Sequence, residues 1–252
     1  NNLFLIEDSA QAMGSCFENK FLGTFGDLGV FSLTPHKIIT TGQGGIIVTN
    51  NSEYYSKVKA LKDFSRTKPG VDIHNDIGYN FKFTDIQSVI GIEQIKKLPS
   101  LIRKRQKISE RLTEGLKDLK GLQLPFVENH CTHVYYSYPM VIDIKLLNIT
   151  KQKIAQALTA EGIEGVGTGY TNIHLLPIFQ EKIAYGSKGF PWNSEFCKRD
   201  VDYSKGICPV AESLHDDSHI SIGLCQYELE NNHVDLIIEA FKKVWSNLDI
   251  LR

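Results

Sequence analysis

Two stretches near the start of the chain decide the fold: residues 3–8 read LFLIED, and residues 29–49 read GVFSLTPHKIITTGQGGIIVT. Their short apolar runs, bounded by Gly, Pro and Asn, predict buried strands at Leu3–Ile6, Gly29–Leu33 and Gly45–Thr49. Asp8 follows the first strand directly. Because open α/β sheets bind their ligands at the carboxyl ends of parallel strands, we expect a site at this edge.

Helical spacing and start signals predict most of the remaining elements. A helix is expected over Glu53–Asp63, and the polar stretch Ser65–Asp76, which contains Pro69, is expected to be a loop. Thr84 and Gln87 form a capping-box pattern at the start of a helix that we expect to end near Pro99. A second helix follows, and its basic run is interpreted as a solvated face: Arg103, Lys104, Arg105 and Lys107.

The pattern changes from about Gly121 onward. Alternating residues in Val134–Ile142 predict a strand with one exposed face, and helices are predicted over Lys151–Glu161 and Glu228–Leu248. The fold class expected is α/β. Residues 1–105 would form a strand-rich α/β portion with the start of a linking helix, and residues 106–252 a smaller α+β domain.

Composition excludes several classes of function. The 252 residues carry 28 Lys and Arg against 29 Asp and Glu, so there is no basic field of the kind that binds nucleic acid or an anionic membrane. The five cysteines lack a C-x-x-C spacing, which is typical of reduced intracellular thiols. No apolar run approaches the length of about 20 residues needed to span a membrane. We therefore expect a soluble cytoplasmic protein that binds neither nucleic acid nor a membrane.

The residues around Lys37 suggest cofactor chemistry. A lysine that forms a Schiff base is the attachment point of pyridoxal phosphate, whose ring also needs a carboxylate beside its pyridine nitrogen and donors for its phosphate. Lys37, Asp8 and Ser32 could fill these three roles. A lysine in a glycine-rich loop is also often a surface residue, and spacing alone leaves both interpretations open.

The order of motifs resembles the DegT/DnrJ/StrS family of pyridoxal-phosphate-dependent nucleotide-sugar aminotransferases. The resemblance is carried by IEDSAQA at residues 6–12, GTFGD at 23–27, the segment from Phe31 to Gly45, and GYNFK at 78–82 followed by DIQ at 85–87. It extends over essentially the whole chain and is strongest up to about residue 110. It implies a type I aminotransferase fold, in which the large domain has a mostly parallel sheet.

The resemblance also implies roles for individual residues. Lys37 would be the catalytic residue, forming the internal aldimine and shuttling protons. Asp8 would pair with the pyridine nitrogen, Gln11 would lie against the ring and its 3-hydroxyl, and Ser32 would bind the phosphate. Asn80 would reach the phosphate held by the other subunit of a homodimer, so that the active site is shared. The partners implied are a nucleotide-linked keto-sugar and glutamate, or glutamine, as the amino donor.

Two substrate contacts are expected from the same resemblance, and one of them departs from the family pattern. His174 would lie near the sugar. Lys82 stands where the family usually has Arg, which keeps the charge but loses the bidentate fork for a carboxylate. Gln43 likewise stands where Glu is usual.

Alternative functions follow from related branches of the family. A branch that replaces the Schiff-base lysine by His acts as a sugar dehydratase, and His36 adjoins Lys37. Counting back from Gly42 puts Lys37 at the reactive position and favours transamination. A non-catalytic regulatory relative of the same fold is the remaining alternative, and it would not need Lys37.

No metal site is predicted. His130-x-x-His133 and His215-x-x-x-His219 lack a third ligand with a recognisable motif. The chain opens without Met in a predicted buried strand, so we expect an upstream segment to supply the remaining strands, a phosphate-binding loop and a ring that stacks on the cofactor.

Overall fold

The computed structural model describes residues 3–66, 68, 70–225 and 227–252. The chain forms two compact units. The first contains the described residues up to Arg111, together with Phe126–Ser137 and those of Leu224–Leu229. The second contains Leu112–Pro125, Tyr138–Gly223 and Glu230–Arg252. The two units are defined by which residues pack together within this chain, and this does not test the predicted domains. The division into domains of residues 1–105 and 106–252 therefore stays a prediction.

Five short strands build the sheets of the first unit: β1 Ile6–Asp8, β2 Cys16–Phe17, β3 Lys20–Phe21, β4 Leu28–Ser32 and β5 Gly45–Val48. In the central sheet β1 pairs parallel with β4, with Asp8 opposite Val30, and β5 pairs antiparallel with β4. Because β1 and β4 run in the same direction, Asp8 and Ser32 both lie at carboxyl ends on one edge of the sheet.

The prediction of a buried strand at Leu3–Ile6 was wrong in its bounds and in its burial. The strand begins only at Ile6, and the side chains of this run are exposed, Leu3 at 80% and Ile6 at 62%. The apolar pattern was correct, but the contacts of this run, such as the edge-to-face packing of Phe4 on Tyr54 with 6.0 Å between ring centroids, leave its side chains exposed. Turns follow β1 at residues 10–11 and 13–14.

The described residues in the first part of the chain form two helices. Helix α1 spans Ser52–Leu61, and the Asn51 side chain caps it by accepting hydrogen bonds from two backbone N–H groups. The described part of the loop predicted at Ser65–Asp76 is irregular, with one bridge between Arg66 and His74, and Pro69 lies outside the described residues.

Helix α2 spans Asp85–Leu116 without interruption, so the prediction that a helix ends near Pro99 was wrong. Proline removes one backbone hydrogen bond from a helix interior. Packing of α2 before and after Pro99 compensates for this loss. Leu98 and Leu101 contact the first unit's core, and Leu112 is fully buried. The capping box at Thr84 is confirmed. Its Oγ1 accepts from the Gln87 N–H at 3.2 Å, and the Gln87 side chain accepts from the Thr84 N–H at 3.2 Å.

One residue of the basic run on α2 does not lie on a solvated face. Arg105 is only 8% exposed, and its burial lowers the pKa of its guanidinium. The turn of α2 that carries it faces inward, because Ile108 and Ser109 beside it are buried too. The core of the first unit is formed by Met13, Leu33 and Ile39, with partly buried neighbours that include Phe31 and Phe83.

The second unit packs helices against a four-stranded sheet. Its strands are β6 Leu122–Gln123, β7 Ser137–Ile142, β8 Val166–Gly167 and β9 His219–Gly223, in the spatial order β6-β7-β9-β8. Its helices are α3 Ile144–Leu147, α4 Lys151–Ala160, α5 Pro177–Gln180, α6 Pro209–Ser213, α7 Asn231–Ser246 and α8 Leu248–Leu251, with a 3₁₀ turn at Ile173–Leu175 and a π-helical turn at Leu214–Ser218.

The core of this unit confirms the alternating pattern of β7. Tyr138, Met140 and Ile142 are at most 1% exposed, and the residues between them are partly exposed. Helices α4 and α7 pack together, with Leu158 and Phe241 fully buried. Among the helices described, none is long and apolar enough to cross a membrane.

Candidate active site

Glu7 anchors the loop that follows the β2–β3 hairpin. Its carboxylate accepts backbone N–H hydrogen bonds from Gly23 at 2.7 Å, Phe25 at 2.5 Å and Gly26 at 2.6 Å. Partial burial raises the pKa of Glu7, but these three donors outweigh it and hold the pKa below its usual value. Because successive residues of a strand point to opposite faces, Glu7 holds the loop on one face while Asp8 points to the other.

Asp8 stands at the carboxyl end of β1 with an exposed side chain. Its Oδ1 accepts the N–H of Ala10 at 3.2 Å, which fixes both the carboxylate and the turn after the strand. That turn brings Gln11 to the same sheet edge.

Lys37 sits in a tight turn after β4. The Lys37 N–H donates to the Thr34 carbonyl at 3.1 Å, and the Thr34 N–H donates to Ser32 Oγ at 3.4 Å. Lys37 Nζ lies over the face of the Tyr136 ring, 4.7 Å from its centroid. The turn therefore holds a primary amine and the Ser32 hydroxyl close together, with an aromatic side chain beside the amine.

Three of the predicted site residues line one small cleft of the first unit. They are Gln11, Ser32 and Lys37, and the remaining walls are Ala10, Met13, Ile38, Val134 and Tyr136. Asp8 is not among the lining residues, but it is bonded to the wall residue Ala10. The structure thus brings Gln11, Ser32 and Lys37 together, with Asp8 at the adjoining end of β1.

The glycine-rich loop is tied to the start of α2. The carbonyl of Gln43 accepts hydrogen bonds from Thr41 Oγ1 and from Gln87 Nε2, each at 2.9 Å. Gly44 has φ +143°, and a Cβ there would lie 2.3 Å from the Phe83 ring. Glycine is therefore required at this position, whereas the Gln43 side chain is exposed.

Asn80 and Lys82 form a cluster of their own. Lys82 Nζ pairs with Asp63 at 3.0 Å and donates to Asn80 Oδ1 at 2.5 Å, and it lies 4.1 Å from the centroid of the Phe64 ring. The hydrogen bond from Lys82 lowers the pKa of Asp63 below its usual value. Within the described part of the chain, the contacts of Asn80 and Lys82 are with these neighbours and not with the Lys37 cleft.

His174 belongs to the second unit, on the 3₁₀ turn at Ile173–Leu175. Its Nε2 lies 2.8 Å from Oε1 of Glu212, and both side chains are nearly buried, at 12% and 7% exposure. Glu212 also accepts the N–H groups of Gly206 at 2.8 Å and Cys208 at 3.2 Å. Burial raises the pKa of Glu212, but its hydrogen-bond donors more than compensate and lower it.

Sequence reasoning missed three residues that shape these sites: Glu7, Tyr136 and Glu212. The block IEDSAQA contains Glu7 but gives no sign that it holds a loop, and Tyr136 is one of several aromatic residues in an alternating strand pattern. Nothing near Glu212 distinguishes it from a surface glutamate. No cluster of three or more potential metal ligands occurs in the described residues, and the five cysteines are free thiols.

Comparison with known proteins gives consistent matches. Residues 1–241 match the DegT/DnrJ/EryC1/StrS aminotransferase family. The uncharacterized protein MJ1066 of Methanocaldococcus jannaschii is 31% identical over 88% of this chain and 58% of its own length. GDP-perosamine synthase of Escherichia coli O157:H7 is 31% identical over 72% of this chain and 48% of its own length.

Solved structures share the fold. The aminotransferase TlmJ of Streptoalloteichus hindustanus superposes with a TM-score of 0.78 at 24% identity, covering 98% of this chain and 60% of the other. The fold is therefore that of the type I pyridoxal-phosphate aminotransferases, as predicted. The chain spans about three-fifths of the length of the first relatives it matches.

The side chains gathered at this edge of the sheet are of the types that pyridoxal 5′-phosphate needs. The cofactor needs an amine for covalent attachment, a carboxylate for its ring nitrogen and hydroxyl donors for its phosphate. Lys37 would supply the amine, Asp8 at the same sheet edge the carboxylate, and Ser32 the hydroxyl.

Proposed function

The chain belongs to the DegT/DnrJ/EryC1/StrS aminotransferase family, which depends on pyridoxal 5′-phosphate, and from this we propose its reaction. The whole protein transfers an amino group from glutamate, or glutamine, to a nucleotide-linked keto-sugar. Its product is an amino sugar for polysaccharide biosynthesis in the cytoplasm. The observation that carries the proposal is the cleft that gathers Gln11, Ser32 and Lys37.

Each site residue has a distinct task in this reaction. When bound, the cofactor supplies an electron sink for the carbanion formed at the substrate carbon. Lys37 would hold the cofactor through Nζ. Once the amine of the donor has displaced Nζ from the cofactor, the freed Lys37 amine would move protons to and from that carbon. Asp8 keeps a proton on the ring nitrogen, because its negative charge at the end of β1 favours the cationic pyridine. Ser32 would donate to the phosphate, and Gln11 would lie against the ring.

Substrate recognition is assigned to residues outside the cleft. We assign His174 to the sugar and Lys82 to a carboxylate of the amino donor. Lys82 would have to exchange its contact with Asp63 for that carboxylate, which is feasible because both groups are partly exposed. A GDP-linked keto-sugar is one candidate, since a relative that is 31% identical is named GDP-perosamine synthase.

A homodimer with a shared active site is part of the proposal. The first half of α2 exposes apolar side chains at helical spacing, with Ile86 at 75% and Val89 at 61% exposure, followed by Ile92. An exposed apolar stripe of this kind is typical of an association surface. Asn80 precedes this helix, so a subunit seated on the stripe would lie close to it. Asn80 would then reach the phosphate held by the other subunit.

The test uses the full-length protein loaded with pyridoxal phosphate. Borohydride reduction followed by peptide mapping should place the phosphopyridoxyl group on Lys37. GDP- and dTDP-linked 4-keto-sugars are then offered with glutamate, and 2-oxoglutarate formation is measured. Lys37→Ala should abolish product formation, whereas Lys57→Ala, a change of an exposed lysine on α1, should not. Label on another lysine, or loss of water from the sugar without use of glutamate, would contradict the proposal.

A further inference from the structure

The pairing of His174 with Glu212 suggests a role for a residue that the sequence did not single out. We propose that Glu212 is a positioning residue for sugar recognition. It holds His174 through Nε2 and leaves Nδ1 as the ring atom presented to the substrate. The inference rests on the proposed function, because His174 is assigned to the sugar there.

The protonation of the imidazole follows from its partner. The pKa of Glu212 lies below its usual value, so the group is ionised at neutral pH and can only accept hydrogen bonds. At a separation of 2.8 Å, Nε2 of His174 must carry the proton that Oε1 accepts. In the neutral ring Nδ1 is then an acceptor, which suits a sugar hydroxyl acting as donor.

Further hydrogen bonds hold both Glu212 and His174 in place. Glu212 accepts the N–H of Gly206 with both carboxylate oxygens, each at 2.8 Å, and the N–H of Cys208. On the other side, the His174 carbonyl accepts from Gln180 Nε2 at 2.6 Å. An imidazole fixed in this way loses little conformational entropy when a substrate binds, so its hydrogen bond to the sugar contributes more to affinity.

A structural role for Glu212 is the competing explanation, since its bonds to Gly206 and Cys208 also order the loop before α6. The two explanations differ in what happens to His174. A positioning residue acts through the imidazole, so removing His174 should make the loss of Glu212 almost inconsequential for sugar binding. A residue that only orders the loop should act independently of His174.

The first experiment reads the tautomer directly. Full-length holoenzyme is labelled with ¹⁵N-histidine, and the His174 signals are assigned by their loss in His174→Asn. At neutral pH the wild type should carry a proton on Nε2, and Glu212→Gln should shift the ring towards a mixture of tautomers. A wild-type ring protonated on Nδ1 alone would overturn the proposal, and this result needs no variant of Glu212.

The second experiment separates substrate affinity from chemistry. Glu212→Gln and His174→Asn should each raise the KM for the keto-sugar nucleotide about tenfold, with the KM for glutamate and kcat changed less than about threefold. The double variant should match His174→Asn alone within about twofold. Glu195→Gln, an exposed glutamate of the same segment, is the matched control and should leave all three constants unchanged. The inference would be overturned if the increases in sugar KM from the two single variants multiplied in the double variant. It would also be overturned if Glu212→Gln left the sugar KM unchanged.

Failure of the inference and failure of the proposed function give different results. If the wild type forms no 2-oxoglutarate with any keto-sugar, the proposed function fails. The KM for the sugar then cannot be measured in any variant. If it turns over but the tautomer or the double variant contradicts the expectation, the inference alone fails. Should Glu212→Gln not fold, Glu212→Asp keeps the charge but retracts it from His174, and the same KM increase is expected.

Discussion

Replacing Glu7 by Gln should loosen the loop at residues 23–26, because its carboxylate accepts three backbone N–H groups at once. In the wild type Oε1 receives Phe25 and Gly26, and Oε2 receives Gly23. The amide of Gln keeps one accepting oxygen and turns an N–H₂ group towards the third donor. Hydrogen bonds to a charged acceptor contribute about 1.5–3 kcal/mol, and an unsatisfied donor costs a similar amount.

Because the Glu7 side chain is partly exposed, water can replace some of the hydrogen bonds that the backbone N–H groups lose in Glu7→Gln. We therefore expect the local opening free energy of the loop to fall by about 1.5–3 kcal/mol in total. Because 1.4 kcal/mol corresponds to a factor of ten, the loop amides should exchange with solvent about 10- to 100-fold faster.

Hydrogen exchange read by mass spectrometry on peptides covering residues 20–30 measures this change in the full-length protein. Glu128→Gln, a change of an exposed glutamate in the first unit, is the matched control and should leave the loop unchanged. The pKa of Glu7 is lowered in the folded state, so its stabilisation is complete above the unfolded pKa and is lost as pH falls through the folded pKa. After correction for intrinsic exchange, the loop amides of Glu7→Gln and of wild type should therefore exchange at more similar rates in acid than at neutral pH. Exchange within about twofold of wild type at neutral pH would refute the anchoring role of Glu7.

The remaining predictions concern the reaction, the shared site and α2. Asp8→Asn should reduce the transamination rate about a hundredfold or more while cofactor binding measured by absorbance is nearly kept, and near-normal turnover would remove Asp8 from this role. Mixing inactive Lys37→Ala with impaired Asn80→Ala should restore activity to about a quarter of wild type, since one site of each heterodimer carries neither change. If mass spectrometry proves that subunits have exchanged and no activity returns, Asn80 acts in the site of its own subunit. Pro99→Ala should stabilise α2 by about 1–3 kcal/mol, seen as a higher urea midpoint, because alanine restores a backbone donor in the helix interior. A lower midpoint would mean that the proline ring makes contacts that outweigh the missing hydrogen bond.

The sequence by itself determined the family, the fold class and three of the residues that line the cleft, Gln11, Ser32 and Lys37. These follow from local order along the chain: a strand ending at Asp8, a turn holding Lys37, a glycine loop that tolerates no side chain at Gly44, and the cap at Thr84. Short-range hydrogen bonds and steric limits create such features, and they leave direct marks in neighbouring residues.

Only the tertiary structure decided which polar residues are buried and what they hold. Helix α2 passes through Pro99, and Arg105 turns inward, because packing energy outweighs propensity and charge patterning. Glu212 lies 38 residues from His174, and Glu7 lies 16 to 19 residues from the amides it anchors. Partners so far apart leave no periodicity or motif in a single sequence, since their meeting depends on the path of the chain between them.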